Sequence, residues 1–290
     1  MNEEMKQLIL CADMEGASGI FEGCNKWLLN GHDDWRNHGR KCITSDALAV
    51  CNAAVDFGID DILLYDMHWA GNSEFNIIVE ELPSIVRVFD VPNRASDWRR
   101  IRGQAAQNPF GIITLGQHAR YSDAPTENYC TRDAYFHHTI QSPPIKNFYV
   151  NNIHIAEIGS AVLSFKNAPY LANIGCQASM VEALELSENI VCIPVKDKAK
   201  GWEPNPEETY PLIYNEVTKA LNNASQAIIV KIEPPYKFSM ELCEGFVYDV
   251  QTEISWKGTF SSNKATWEAP SIEMGLELFG FVRRQLRKVE

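Results

Sequence analysis

The stretch LILCADMEGASGIF, Leu8 to Phe21, decides how the chain is read. An apolar run ends on two carboxylates, Asp13 and Glu15, and then breaks into Gly-Ala-Ser-Gly. QLILCAD reads as a buried strand. Asp13 and Glu15 stand two residues apart, so a strand continuing through them points both side chains to one face. No lysine or arginine lies within the stretch to balance them.

Outward from this stretch, short apolar runs alternate with helical patterns. DDWRNHGRKCITSDALAVCNAAVDFG carries a helical apolar period and stops near Gly58. DDILLYDM is a second strand, SIVRVFD a third and FGIITLGQ a fourth, with a helix expected over Ala95 to Gln107 before it. This alternation predicts an α/β fold whose N-terminal half is a mostly parallel sheet flanked by helices. Strands this continuously apolar suit a sheet covered on both faces.

The second half reads as mixed α/β. NFYVNN and IHIAE form a hairpin turning at Asn151 and Asn152. APYLANIG and NIVCIPV are strands flanking a helix over Ala178 to Leu186. A further helix runs from GWEPNPEET to about Asn223, and AIIVKIEPP is a strand stopped by prolines. The tail SIEMGLELFGFVRRQLRK reads as one amphipathic helix with Ser271 as N-cap and basic residues in its last turns. We expect one domain over residues 1–290, with a weak subdivision near 200, between Trp202 and Pro206.

The chain is 45% hydrophobic and 22% charged, ordinary for a globular protein. Its formal net charge of -12 repels phosphate backbones and argues against a nucleic-acid partner. Arg99, Arg100 and Arg102 in DWRRIR read as the solvated face of a helix. No apolar run reaches about 18 residues, so no membrane span is expected. MNEEMKQ lacks the basic-then-apolar pattern of a secretory leader, and the eight cysteines form no CxxC pair. Reduced thiols in a cytoplasmic protein are the expectation.

His68 directly follows DDILLYDM, and His118 directly follows FGIITLGQ. Three parallel strands therefore place Asp13, Glu15, His68 and His118 just past their carboxyl ends, where open α/β sheets bind ligands. Such a cluster either pairs within itself or binds a metal. Two adjacent carboxylates are costly to desolvate as free charges, and a divalent cation removes that cost. Oxygen and imidazole donors together suit Zn, Mn or Fe.

ADMEGASGI resembles the opening signature of the D-aminopeptidase family of zinc peptidases. YDMH, LGQHAR and FYVNNIHIAEIG resemble further segments of that family in the same order, and TEISWKGTFSSNKATWEAPSIEM is a looser counterpart of its C-terminal region. The resemblance covers nearly the whole chain. It implies a site for two zinc ions with Asp13, Glu15, His68, His118 and Glu157 as metal ligands and Asp13 as the bridging carboxylate. It also implies a catalytic histidine in FHHTI, where His138 fits the family pattern better than His137. His32, His38 and His154 are read as non-catalytic.

The implied activity is hydrolysis of an amide bond in short peptides or amides carrying an N-terminal D-residue. A homo-oligomer is implied as well, a decameric ring among its forms. The chain departs from the family in a longer segment between His118 and His138 and in Cys176-Gln177, which stand where acids are common. Arg120 stands either as a substrate-carboxylate group or as half of an ion pair. Two rivals are a two-metal phosphoesterase, which wants more basic residues than Arg120 and Arg132, and an inactive metal-binding scaffold of the same fold.

Overall fold

The first strand, β1 (Gln7–Ala12), is buried along its whole length. Leu8, Leu10 and Ala12 enter one hydrophobic core, while Ile9 and Cys11 enter another. That is the period-two alternation of a strand whose two faces are both covered. The structure is a computed structural model and describes residues 5–21, 24–68, 74–90, 102–122, 130–140, 144–249 and 258–289.

The other strands are, in chain order, β2 (Asp61–Asp66), β3 (Val86–Asp90), β4 (Gly111–Gln117), β5 (Ile145–Val150), β6 (Ile153–His154), β7 (Tyr170–Cys176), β8 (Val191–Lys196), β9 (Tyr236–Leu242), β10 (Phe246–Tyr248), β11 (Gly258–Phe260), β12 (Lys264–Ala269) and β13 (Leu286–Lys288). The helices are α1 (Arg40–Phe57), α2 (Glu157–Leu163), α3 (Met180–Leu186), α4 (Pro206–Asn222) and α5 (Ile272–Arg283). A six-stranded sheet runs β3-β2-β1-β4-β7-β8, and all its ladders are parallel. A five-stranded antiparallel sheet runs β11-β12-β9-β5-β6.

Helices α1 and α4 supply Val50, Ala54, Ile213 and Val217 to the core on one face of the parallel sheet. Residues of α2 and α5 join the inner face of the antiparallel sheet in the other core, where Phe148, Phe238, Trp267 and Phe279 meet. Local chemistry sets the helix ends. Gly58, at φ +89°, closes α1 in the left-handed region that glycine tolerates. Asn205 and Glu208 form a capping box at α4, with Pro206 at the first helical position. The Ser271 hydroxyl accepts from Met274 N–H at α5, as expected.

Four expectations change. The helix preceding α1 is a single wide turn over Trp35–Gly39 instead of regular α-helix. Residues 227–233 belong to no sheet; they meet β7 where Tyr170 N–H donates to Ile228 O, and Pro234 and Pro235 have no N–H to extend a ladder. The tail helix ends at Arg283, and Leu286–Lys288 turns back to pair with β10. Arg102 is not solvated: it forms a 2.8 Å ion pair with Glu277. The rest of DWRRIR and most of the helix expected over 95–107 lie outside the described residues. The hairpin turns at Asn151, at φ +54°. All eight cysteines are free thiols. Among the described residues, no helix is long and apolar enough to cross a membrane.

Candidate metal centre

β1 lies between β2 and β4, with Ala12 level with Asp66 and with Leu115. The chain leaving β1 stays against β4: Asp13 N–H donates to Leu115 O at 2.8 Å, and Gly16 N–H to Gly116 O at 2.8 Å. Gly116 is required there. Its φ is +67°, and a Cβ would fall 2.0 Å from Asp13 O. The strand end can therefore pass close enough to put Asp13 and Glu15 between the residues that follow β2 and β4.

The five residues expected as ligands come together, with His138 beside them. His68 Nδ1 lies 3.2 Å from Asp13 Oδ1 and 2.9 Å from Glu15 Oε2. His118 Nε2 lies 2.7 Å from Glu157 Oε2 and 3.5 Å from Asp13 Oδ2. Glu157, the first residue of α2, is delivered by the hairpin that precedes it. The His138 ring is 4.0 Å from that of His118, with Nε2 3.6 Å from Glu15 Oε1 and Nδ1 3.6 Å from Glu157 Oε1. Two triads have donor atoms close enough for one ion each: Asp13, Glu15 and His68, and His118, His138 and Glu157.

The electrostatics of the cluster are those of an acidic group forced together. Burial, followed by the charges of Glu15 and Glu157, pushes Asp13 well above the usual carboxylate range. Burial also penalises ionised Glu15, but the His68 charge and hydrogen bonds from His138 and His68 outweigh it and hold Glu15 low. Glu157 is likewise held low by His118 against the cost of its burial. Burial disfavours charge on His68 and His118, yet Glu15 and Glu157 respectively draw each well above the ordinary imidazole value.

The donor set fits a metal such as zinc. Asp13 Oδ2 and His138 Nδ1 are buried with no hydrogen-bond partner. The outer nitrogen of each inner histidine is tied to a backbone carbonyl: His68 Nε2 to Leu28 O at 3.0 Å, and His118 Nδ1 to Ala119 O at 2.8 Å. With hydrogen fixed on those nitrogens, a cation need only displace the proton that His68 Nδ1 and His118 Nε2 share with the carboxylates to find a lone pair on each, and the carbonyls hold both rings in that orientation.

The competing residues fall elsewhere. His137 is buried, accepts from Ser122 N–H at 3.2 Å and stacks on Tyr121, so it braces the segment while His138 faces the carboxylates. Burial drops the His137 pKa to about 4. His38 stacks on Trp27, His154 stacks on Tyr149, and His32 Nδ1 accepts from Asp34 N–H. Arg120 is bidentate to Glu185 at 2.6 and 2.8 Å. Cys176 is buried at the end of β7 and Gln177 is exposed. Residues 123–129 of the long segment lie outside the described residues. An open groove of about 980 Å³ on the antiparallel sheet shares no lining residue with the cluster.

Sequence reasoning missed the supports. Asn76 donates to Asp66 and to the His68 carbonyl, and accepts from Trp35 Nε1 at 2.8 Å. Lys196 and Asp46 hold the loop after Glu15. Lys196 could have been found by the rule that found the histidines, since it too ends a parallel strand. Asn76 and Asp46 carry no such signal.

The sequence profile of the D-aminopeptidase family matches residues 5–279. Among solved structures, a Zn-dependent D-aminopeptidase, DppA from Bacillus subtilis, described as a self-compartmentalizing protease, matches with a TM-score of 0.75. The match covers 96% of this chain and 97% of that one at 18% identity, so it speaks for the fold. Among curated proteins, none matches the sequence.

Proposed function

The chain belongs to the D-aminopeptidase family, and from that premise we propose that it is a zinc-dependent amidohydrolase acting on short peptides or amides with an N-terminal D-residue. The observation that carries the proposal is Asp13, whose Oδ1 faces His68 and whose Oδ2 faces His118. Asp13, Glu15 and His68 would hold one zinc ion, and Asp13, His118 and Glu157 the other. Bound there, zinc supplies Lewis acidity, which lowers the pKa of water and polarises a scissile carbonyl.

The remaining work falls to the chain. Glu15 and Glu157 stay ionised beside the imidazoles and fix the charge of the site. His138 has no hydrogen bond at Nδ1. We assign it the proton that must reach the leaving amine, a role suited to imidazole near neutral pH. The wall around Asp13, Glu15 and His118 is largely closed to water, which strengthens each of these interactions.

The phosphoesterase alternative loses ground on the arginines. Arg120 is committed to Glu185, and Arg132 is exposed and paired with Asp133. Self-association is part of the proposal, supported by the self-compartmentalizing relative. A single catalytic domain is another part, supported by α4 packing back on α1. Cytoplasmic residence is the third, supported by eight free thiols.

The test is chelation followed by metal analysis and assays on D-Ala-D-Ala, D-alanine amide and p-nitrophenyl phosphate. We expect amide hydrolysis that disappears with the metal and returns with zinc. Turnover by protein shown to be metal-free sinks the mechanism. Phosphate-ester turnover alone selects the rival enzyme, and intact metal with no turnover selects the scaffold. Light scattering reads the oligomer.

A further inference from the structure

Lys196, the last residue of β8, is wholly buried. Its ammonium donates to Glu15 O at 2.7 Å, to Ala17 O at 2.9 Å and to Ile20 O. Three donors meet three acceptors, so the group is satisfied. The rings of Phe21, at 5.7 Å, and Tyr135, at 5.5 Å, lie beside it, and the buried Asp46 carboxylate is within electrostatic reach. A buried cation held by carbonyls costs more than an apolar side chain of the same shape. Packing alone therefore gives no reason for a lysine at this position.

The reason lies in the peptide it grips. The plane between Glu15 and Gly16 is held at both ends: its C=O by Lys196 and its N–H by Gly116 O. The next turn is pinned by Ala17 N–H to Met14 O and Ser18 N–H to Asp46. With that plane held, ψ of Glu15 is constrained, and its carboxylate lies 2.9 Å from His68 Nδ1.

We propose that Lys196 is a positioning residue for the metal centre, gathering the carbonyls of Glu15, Ala17 and Ile20 so that the Glu15 carboxylate is presented ready to bind zinc. The inference rests on the zinc reading above. It competes with a simpler role in which the ammonium only offsets the acidic cluster. The two differ in sign. Removing an offsetting charge tightens the binding of a cation, whereas releasing the Glu15 loop weakens it.

The experiment titrates metal-free wild type, Lys196→Met and Ile213→Ala with zinc against a competing chelator, and takes a melting curve of each. Ile213 is a fully buried side chain of α4 outside the cluster. We expect Lys196→Met to bind one of two zinc ions about tenfold or more weakly, as loss of an outer support does, while Ile213→Ala melts earlier with unchanged zinc affinity. Unchanged binding in folded Lys196→Met makes the lysine structural and overturns the proposal. Tighter binding makes it a charge-offsetting group and overturns it too. If Lys196→Met does not fold, Lys196→Gln, which keeps two donors, takes its place, and failure of both assigns Lys196 to the fold. Wild type that takes up no zinc sinks the metal reading itself, a result distinct from zinc-binding wild type with an equally competent variant.

Discussion

His118 Nε2 and Glu157 Oε2 stand 2.7 Å apart, joining the end of a parallel strand to the first turn of a helix that follows an antiparallel hairpin. Glu157 is where a neutral substitute is most informative. Glu157→Gln keeps shape and one acceptor but removes the charge that it would offer to the second of the two proposed ions. We expect metal content after desalting to fall from two zinc ions per chain to one, with the fold retained by circular dichroism. Two retained ions would remove Glu157 from the ligand set.

His138 has two possible employments, because its nitrogens are in range of a triad and also free to move a proton. His138→Ala separates them. We expect kcat to fall by about 10²- to 10⁴-fold, the usual worth of a positioned acid or base, with both zinc ions retained. Loss of an ion in the variant reassigns His138 from proton transfer to metal binding.

The parallel sheet and the positions of Asp13, Glu15, His68 and His118 were legible because strand ends are local features. An apolar run announces its own end, and the next polar residue falls in the crevice by geometry. Glu157 and His138 were reachable only through resemblance, since they arrive from a hairpin and a loop whose path no periodicity encodes. The supports were less legible still. Lys196 meets Glu15 across 181 residues of sequence. Residues 227–233 read as a strand on composition, yet strand pairing needs a partner edge, which composition does not report.

Asn76 gathers Asp66, the Trp35 indole and the His68 carbonyl. Trp35 and Asp66 are buried. Asn76→Ala therefore orphans a buried indole N–H, worth about 1–3 kcal/mol, and removes the amide's bond to Asp66, worth about 1–2 kcal/mol more, while the backbone N–H of residue 76 still donates to that carboxylate. We expect a loss of about 2–4 kcal/mol in urea unfolding, together with weaker zinc binding as His68 loses its brace. A stability change under 1 kcal/mol would show that water or a rearranged side chain replaces the amide.

Asp46 sets a pH dependence of stability. It is fully buried, its Oδ1 has no partner, and its Oδ2 accepts from Ser18 N–H at 2.9 Å. Burial outweighs the Ser18 hydrogen bonds and the Lys196 charge and raises its pKa from 3.8 to about 6. The folded chain therefore holds a proton that the unfolded chain releases between those values. The stabilisation is fully present below pH 3.8 and is lost as pH rises through 6. A shift of about two units corresponds to about 3 kcal/mol. Asp46→Asn keeps the acceptor for Ser18 and cannot ionise. We expect the difference in urea midpoint between variant and wild type to grow in the variant's favour from pH 4 to pH 7 and then level off. Both proteins are measured metal-free, so zinc loss at low pH does not enter the difference. A difference that stays flat across this range would mean Asp46 is ionised throughout, its charge met by Lys196 and Ser18 more fully than its burial implies.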